Sequence, residues 1–261
     1  MAELVDAHDS KSCFARRESS ILSSPTIKMI KILYKISLLI NLQKYKIKNL
    51  IKPLEINRNL TFLKRYFEKK TRGFYIDVGC FHPIRFSNTL FLYQKGWSGL
   101  NIDLSKKSID LFKISRPRDI SLNYGVGDQN CEMEFFYNKE CFQSNTLNAQ
   151  FKEHFLKPRG IKKKKIEVKT LDYLLNKHFP EKKIDLLDID AEGFDYEVLK
   201  GIDFEKNSID LIMLEVHYFS PETQKKSRKI KDLLRAKGFY LIYGDYPGNC
   251  IFKNKNLDLN K

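Results

Sequence analysis

Cysteine is scarce in this 261-residue sequence, and the few cysteines show no pattern. Their number, 5, is odd, and no two of them form a C-x-x-C pair. The sequence therefore predicts neither a disulfide framework nor a zinc site. A membrane-spanning helix is not predicted either, because no uncharged apolar run reaches the roughly 18 residues that a span requires. The best candidate, Ile36–Gln43, lies between Lys35 and Lys44, and we expect a cytoplasmic protein.

Glycine is missing where a dinucleotide-binding protein would need it. The segment "FYIDVGCFHPIRFSNT", Phe74–Thr89, reads as a short apolar strand followed by a turn at Gly79. A dinucleotide fingerprint needs two further glycines, at positions where this chain has Phe81 and Ile84. A Walker-type phosphate loop is excluded too, since no G-K-[ST] follows. The loop is expected to hold a nucleoside that carries no pyrophosphate.

Lysine and aromatic residues, in contrast, are abundant. The chain has 19 Phe and 13 Tyr, and 42% of its residues are apolar, which is enough for the core of one globular domain. Its 47 Lys and Arg residues against 32 Asp and Glu give a net charge of +15. Two interpretations of this charge stay open: an anionic partner such as nucleic acid, phospholipid or phosphorylated glycan, or a bias in the nucleotide composition of the genome.

The first 72 residues are predicted to precede the main domain. Residues 1–28 lack periodicity and are either a disordered arm or the product of a wrongly assigned start, with Met29 as the true one. Residues 29–72 are predicted to form basic helices, of which the first spans residues 29–52, because apolar residues recur there at helical spacing with lysines between them. This helix either docks on its own domain, the interpretation we favour, or lies peripherally on the inner, anionic face of a membrane.

Strand and helix patterns alternate from residue 73 to residue 254, and residues 255–261 read as a tail. Strands are predicted at Phe74–Val78, Gly99–Leu104, Ile120–Tyr124, Ile184–Ile189, Ile209–Val216, Phe239–Tyr243 and Cys250–Lys253. Helices are predicted near Ser87–Lys95, Ser105–Ile114, Leu171–Phe179, Tyr196–Leu199 and Pro221–Lys237. This alternation indicates an α/β fold with a doubly wound, mostly parallel sheet. The last strand follows its predecessor closely enough to pair antiparallel with it.

Acidic residues end the first two predicted strands. In an open α/β sheet, ligands bind beyond the carboxyl ends of the strands. Asp103 follows Asp77 by about 25 residues, a spacing that suits a carboxylate accepting both ribose hydroxyl hydrogens. Alternatively, Asp103 caps the helix that begins near Ser105.

Four segments of the chain resemble the FkbM-type S-adenosylmethionine-dependent methyltransferases, in the same order and at similar spacing. They are "FYIDVGCFHPIRFSNTLFLYQKGWSGLNIDLS", "NYGVGD", "LLDIDAEGFDYEVLKGID" and "IDLIMLEVH". The resemblance covers residues 73–252. It implies the class I methyltransferase fold, which is Rossmann-like with a seven-stranded sheet and an antiparallel last strand. It also implies O-methylation of sugars and other small natural products.

The resemblance assigns roles to individual residues as well. Asp103 would bind the ribose, and Asp128 of "GVGD" would lie on the adenine side. Ser87 and Asn88 would open the next helix and face the methionine carboxylate, since a helix N-terminus favours an anion. His82 would contact the cofactor or substrate, unless it is a surface residue. The full set expected around S-adenosylmethionine is Asp77, Gly79, Cys80, His82, Ser87, Asn88, Asp103, Asp128 and Asp188.

A second acidic group follows the predicted fourth strand. At a period of two, Asp188, Asp190 and Glu192 would project to one side of that strand, beside Glu215 and His217 of the next. A hydroxyl acceptor must lose a proton, and His217 is the first candidate for the base, before Asp190 and Glu192. The alternatives are a hydrated loop in which Asp190 or Glu192 caps the following helix, and a structural histidine. The carboxylates could also bind Mg²⁺ or Mn²⁺, but no metal is expected.

Three functions compete at this point. The leading one is O-methylation of a small-molecule or glycan acceptor. Nucleic acid is not the expected substrate, because "DIDAEGF" contains no [DNS]-P-P-[YFW] loop and the chain has no Pro-Cys nucleophile. The third is a catalytically silent binding module. Lys162–Lys165 are predicted to form a solvated loop or to bind an anionic acceptor, and the sequence does not indicate an oligomeric state.

Overall fold

A computed structural model describes residues 25–51, 58–138, 144–149, 151, 160–216, 220–244 and 248–257. The chain divides into two compact units, Met1–Pro53 and Leu54–Lys261. In the first unit a single helix, α1, spans Pro25–Ile51 and therefore begins before the predicted Met29. The rest of the predicted arm lies outside the described residues.

The described residues of the second unit contain ten strands. They are β1 (Phe74–Val78), β2 (Ser98–Ile102), β3 (Ile120–Leu122), β4 (Gly125–Val126), β5 (Cys131–Tyr137), β6 (Lys162–Lys169), β7 (Ile184–Ile189), β8 (Ile209–Val216), β9 (Phe239–Gly244) and β10 (Gly248–Asn254). Seven of them form one sheet in the order β3-β2-β1-β7-β8-β10-β9. Neighbouring strands run parallel from β3 through β2, β1 and β7 to β8. Strand β10 is antiparallel to both of its neighbours, β8 and β9. The predicted class I, Rossmann-like sheet with an antiparallel last strand is thereby confirmed.

Helices cover both faces of this sheet. They are α2 (Arg58–Tyr66), α3 (Leu90–Gln94), α4 (Lys106–Ser115), α5 (Leu171–His178), α6 (Asp195–Lys200) and α7 (Pro221–Ala236), and a 3₁₀ turn follows at Lys255–Leu257. Phe74, Ile76 and Val78 belong to one hydrophobic cluster, whereas Tyr75 between them belongs to another. Successive residues of a strand point to opposite faces, so both faces of β1 are buried, as a doubly wound sheet requires.

A small second sheet was not predicted from the sequence. It has the order β4-β6-β5, and β6 contains Lys162–Lys165, for which a solvated loop was predicted. That prediction is wrong: these lysines are strand residues, and the ammonium group of Lys165 lies 2.7 Å from a carboxylate oxygen of Glu132 on β5. Ile166 and Val168 face a small core of their own. The four consecutive lysines concealed the strand because all of their side chains are exposed. They therefore show no alternation of apolar and polar residues by which a strand could be recognised.

Candidate active site

A cleft lies at the carboxyl ends of β1, β2 and β7. It encloses about 460 Å³ of empty space, part of it open to solvent. Its described lining is Val78, Gly79, Ile102, Asp103, Leu104, Tyr124, Gly125, Val126, Asn145, Leu147, Asp190, Ala191 and Phe194. Of the acidic residues expected in the site, Asp103 and Asp190 line this cleft, and Asp77 and Asp188 are not among its described lining.

Gly79 forms the turn after β1, where no other residue fits. Its φ is +80°, and a Cβ atom there would lie 1.9 Å from the carbonyl oxygen of Asp190. Its amide donates to the Ile102 carbonyl at 2.9 Å, which joins the turn to β2. The next residue, Cys80, is buried and packs against Ile109 and Phe112 of α4. The turn is thus held close to the ends of β2 and β7.

His82 organises the loop from within. Its Nδ1 atom accepts hydrogen bonds from the amides of Ile84 at 3.1 Å and Arg85 at 3.0 Å. Burial, and then the charges of Arg85 and Arg116, lower the pKa of His82 to about 4. The imidazole is therefore neutral at pH 7 and serves as an acceptor inside the loop, and not as a surface residue.

Arg116, which the sequence did not single out, fastens the same loop. Its fully buried guanidinium donates from Nη2 to the Pro83 carbonyl at 2.6 Å and to Ser87 Oγ at 2.7 Å, and from Nη1 to Thr89 Oγ1 at 2.8 Å. The guanidinium also lies 4.7 Å from the ring centroid of Phe112. One arginine thereby binds three points of the loop that follows Gly79. No local motif marks it, because its partners are distant in the sequence.

Ser87 and Asn88 do not open a helix, contrary to the prediction. The helix α3 begins at Leu90 with Thr89 at its N-cap position. Ser87 accepts a hydrogen bond from Arg116, and the Asn88 amide donates to Asp188 at 3.1 Å. The argument from a helix N-terminus therefore does not apply; both side chains order the loop, and their contact with the methionine carboxylate stays a prediction.

Asp77 and Asp188 form a buried pair of carboxyl groups. They are register partners on the neighbouring parallel strands β1 and β7. Thr89 donates to Asp77 at 2.6 Å. Burial raises the pKa of both groups, and the charge of Asp77 raises that of Asp188 further, whereas the Thr89 hydrogen bond and the Arg116 charge oppose the rise at Asp77. Two adjacent buried carboxylates cannot both ionise cheaply, so this end of the sheet favours a cation.

Asp103 faces the cleft from the end of β2. Its carboxylate accepts hydrogen bonds from the amides of Phe81 at 2.9 Å and Ser105 at 2.6 Å. The cap of α4 is Ser105, which accepts from Ser108, so the predicted alternative of Asp103 as that cap is wrong. Burial raises the pKa of Asp103 to about 6 despite the two backbone hydrogen bonds. A carboxylate has about four lone-pair sites, so two stay available for ligand hydroxyl groups.

Apolar side chains and one amide also line the cleft. Leu104, Val126 and Leu147 line it, together with Asn145. Asn145 is 9% exposed, and its Oδ1 atom has no hydrogen-bond partner among the described residues. Asp128 is not among the described lining residues of the cleft. Its carboxylate lies 2.6 Å from the ammonium group of Lys200. Its role on the adenine side stays a prediction. Apolar side chains beside an amide suit a flat heteroaromatic ring with a polar edge.

The acidic segment after β7 is irregular. The strand ends at Ile189, so a period of two does not extend to Glu192, whose φ is +49°. Neither Asp190 nor Glu192 caps the next helix, because α6 begins at Asp195 with Phe194 as its N-cap and without a side-chain cap. The predicted capping alternative is therefore wrong.

These carboxyl groups nevertheless influence one another strongly. Burial, and then the charges of Asp190 and Glu215, raise the pKa of Glu192 to about 10. Asp190 keeps contact with solvent at the cleft surface, yet desolvation there and the charge of Glu215 still raise its pKa. Burial and the charge of Asp195 raise the pKa of Glu215 to about 7. Glu215, which was not among the predicted catalytic residues, therefore has a pKa closer to 7 than Glu192 has.

His217, the first candidate for the base, lies outside the described residues, and its role stays a prediction. Within the described part of the chain, no three acidic, histidine or cysteine side chains are grouped to hold a metal ion.

Comparison with known proteins identifies one family and several structures of low similarity. The model of the FkbM methyltransferase domain matches residues 77–241. A TehB-like S-adenosylmethionine-dependent methyltransferase from Corynebacterium glutamicum is 12% identical, with a TM-score of 0.41 over 85% of this chain and 100% of that one. The 1,6-didemethyltoxoflavin-N1-methyltransferase of Burkholderia thailandensis, solved with 1,6-didemethyltoxoflavin and S-adenosylhomocysteine, is 11% identical, with a TM-score of 0.38 over 90% and 92%. No curated protein matches the chain.

Proposed function

Because this chain belongs to the FkbM methyltransferase domain family, we propose that it uses S-adenosylmethionine to methylate a hydroxyl group of a sugar, a glycan or another small natural product. The observation that supports the cofactor best is the cleft, whose lining combines the Asp103 carboxylate, apolar side chains and the Asn145 amide, whose Oδ1 atom has no hydrogen-bond partner among the described residues. That arrangement suits the two halves of adenosine. The loop after Gly79 offers no glycine-rich cradle for a pyrophosphate, which disfavours NAD.

The chain offers a partner for each part of this cofactor. Asp103 would accept the hydrogens of the ribose hydroxyls, and Asn145 would bind the polar edge of adenine. The buried carboxyl groups of Asp77 and Asp188 would favour the positive charges of the sulfonium and the amino group. When bound, S-adenosylmethionine supplies an electrophilic methyl group, and the protein aligns the acceptor with it and excludes water.

Proton removal from the acceptor hydroxyl requires a base near neutral pKa. With a pKa of about 7, Glu215 is ionised in a large fraction of molecules at pH 7, which is the range in which general bases work best. With a pKa of about 10, Glu192 is protonated there and would act as a hydrogen-bond donor. Asp190 and His217 stay candidates. We propose that Glu215, next to the cleft residue Asp190, is the base or part of it.

Isothermal titration tests the cofactor. We expect micromolar affinity for S-adenosylmethionine and S-adenosylhomocysteine and no binding of NAD. Transfer of a labelled methyl group to a panel of sugars, lipid-free glycans and random RNA then tests the acceptor class. Binding of NAD alone would contradict the proposed cofactor. Label in RNA and in none of the sugars would instead favour nucleic acid as the substrate.

The pH profile tests the base. In the wild type, kcat/KM should rise with pH and level off above about 7, because Glu215 must lose its proton to act. The Glu215→Gln variant should lose about 10²–10⁴-fold in kcat, while its affinity for S-adenosylmethionine stays the same. His217→Gln is the matched comparison, two positions further along the chain. If that variant alone loses activity and the profile of Glu215→Gln is unchanged, His217 is the base.

A further inference from the structure

Helix α1 exposes a stripe of apolar side chains along most of its length. These residues are spaced so that they lie on one face of a helix. Each of them is between 44% and 63% exposed. The apolar stripe comprises Met29, Ile32, Leu33, Ile36, Ile40 and Ile47. Isolated apolar residues on a surface are ordinary, but a continuous row of large aliphatic ones marks an interaction site.

Lysines border the apolar stripe on both sides. At 3.6 residues per turn, Lys28, Lys35 and Lys46 fall along one edge, and Lys44 and Lys48 fall along the other. All five are exposed. The sequence of α1, PTIKMIKILYKISLLINLQKYKIKNLI, contains no Asp or Glu. The partner of this face must therefore be apolar at its centre and negatively charged at its margins.

We propose that α1 docks the protein in the plane of an anionic phospholipid membrane. The apolar stripe would enter the boundary between head groups and acyl chains, and the lysines would reach the lipid phosphates. No helix in the described part of the chain is long and apolar enough to cross a bilayer, which agrees with a helix that lies on the surface.

Other occupants fit this face less well. In a pair of α1 helices from two copies of the chain, lysines would meet lysines, and α1 has no acidic residue to compensate. Nucleic acid would neutralise the lysines but would leave the aliphatic side chains in contact with water. An anionic lipid surface uses both features at once.

Vesicle flotation of the full chain tests the proposal. We expect the protein to float with vesicles of phosphatidylcholine that contain about 30% phosphatidylglycerol, to float at least about tenfold less with pure phosphatidylcholine, and to be released by about 0.5 M NaCl. Equal binding to both kinds of vesicle, or no binding to either, would overturn the proposal.

Two neighbouring substitutions separate the apolar stripe from charge alone. Ile36→Glu places a carboxylate within the stripe, whereas Ser37→Glu adds the same charge at an exposed position beside it. We expect about a tenfold loss of flotation for Ile36→Glu and less than about a threefold loss for Ser37→Glu. Circular dichroism and titration with S-adenosylmethionine check that both variants are folded.

The remaining outcomes point to other partners. Equal losses in the two variants would show that only charge matters, and the inserted stripe would be wrong. Light scattering that finds a dimer in the wild type and a monomer in Ile36→Glu, without flotation, would identify a second copy of the chain as the occupant. A gel shift of random RNA that Lys35→Glu abolishes and Ile36→Glu does not would identify nucleic acid.

Discussion

Replacing Arg116 with methionine is expected to lower the free energy of unfolding by about 3–5 kcal/mol, the usual effect of removing one partner from a buried charged network. The guanidinium is fully buried and donates to Pro83, Ser87 and Thr89. Methionine keeps the length of the side chain but none of the donors, so three buried acceptors lose their partner. Urea unfolding followed by circular dichroism measures the loss.

Arg118 provides the matched control for this substitution. It lies two residues away and is exposed to solvent. Its Nη2 atom donates a hydrogen bond to the Tyr93 carbonyl. Arg118→Met should change the free energy of unfolding by less than about 0.5 kcal/mol, as most surface substitutions do. Equal midpoints of unfolding for the two variants would refute the role given to Arg116.

The Arg116 variant should also differ from the wild type in its response to pH. The Arg116 charge counteracts the rise in the pKa of Asp77 that burial causes. Its removal leaves this pKa still further above that of the unfolded chain. A carboxyl group with a raised folded pKa contributes stability at low pH and loses it as pH rises through the folded pKa. The deficit of Arg116→Met relative to the wild type should therefore grow as pH rises through the folded pKa of Asp77.

The sheet was predictable because its strands are buried on both faces. Mostly apolar runs whose next-to-last residue is acidic predicted the bounds of β1, β7 and β8 as the structure has them. The strands β5 and β6 were missed, since Lys162–Lys165 and the ion pairs that they form with Glu132 and Glu134 hide the inward-facing positions. Apolar periodicity thus predicts elements whose core contacts are continuous and fails where a small core is bordered by paired charges.

The candidate site was predictable only in part, for a similar reason. Strand ends fix the positions of Asp103 and Asp190 at the cleft, because parallel strands share a carboxyl edge. The contacts of Ser87 and Asn88 depend on Arg116 and Asp188, which are distant in the sequence. The pKa of Glu192 depends on burial and on the charges of Asp190 and Glu215, of which Glu215 lies on a different strand, β8. Such features follow from tertiary packing, and no local spacing reveals them.

The Asp103→Asn variant is expected to bind S-adenosylmethionine about 100-fold more weakly than the wild type, since hydrogen bonds to a charged group contribute about 1.5–3 kcal/mol. Asparagine keeps the shape of the side chain, but one of its two acceptors becomes a donor. The new N–H donor of asparagine would then point at another donor, which is either a ribose hydroxyl or the amide of Phe81 or Ser105. Isothermal titration at pH 8 measures the difference.

Asp232→Asn, at an exposed position of α7, is the matched control and should keep its affinity within about twofold. Thermal unfolding of both variants shows whether the loop after β1 stays folded without the Asp103 charge. Affinities for Asp103→Asn and Asp232→Asn that agree within about twofold would mean that Asp103 only holds the backbone of the loop, and the ribose would have to bind elsewhere.

The pH dependence of binding separates these two roles of Asp103 further. Its pKa of about 6 in the free protein means that the carboxyl is mostly ionised at pH 7 and mostly protonated at pH 5. If the ionised form accepts the ribose hydroxyl hydrogens, the affinity of the wild type should fall about tenfold from pH 7 to pH 5. Asparagine does not titrate, so the affinity of Asp103→Asn should stay nearly constant over that interval. A parallel fall in both proteins would assign the proton uptake to another member of the acidic cluster, of which Asp195, with a pKa of about 6, would be the next to replace.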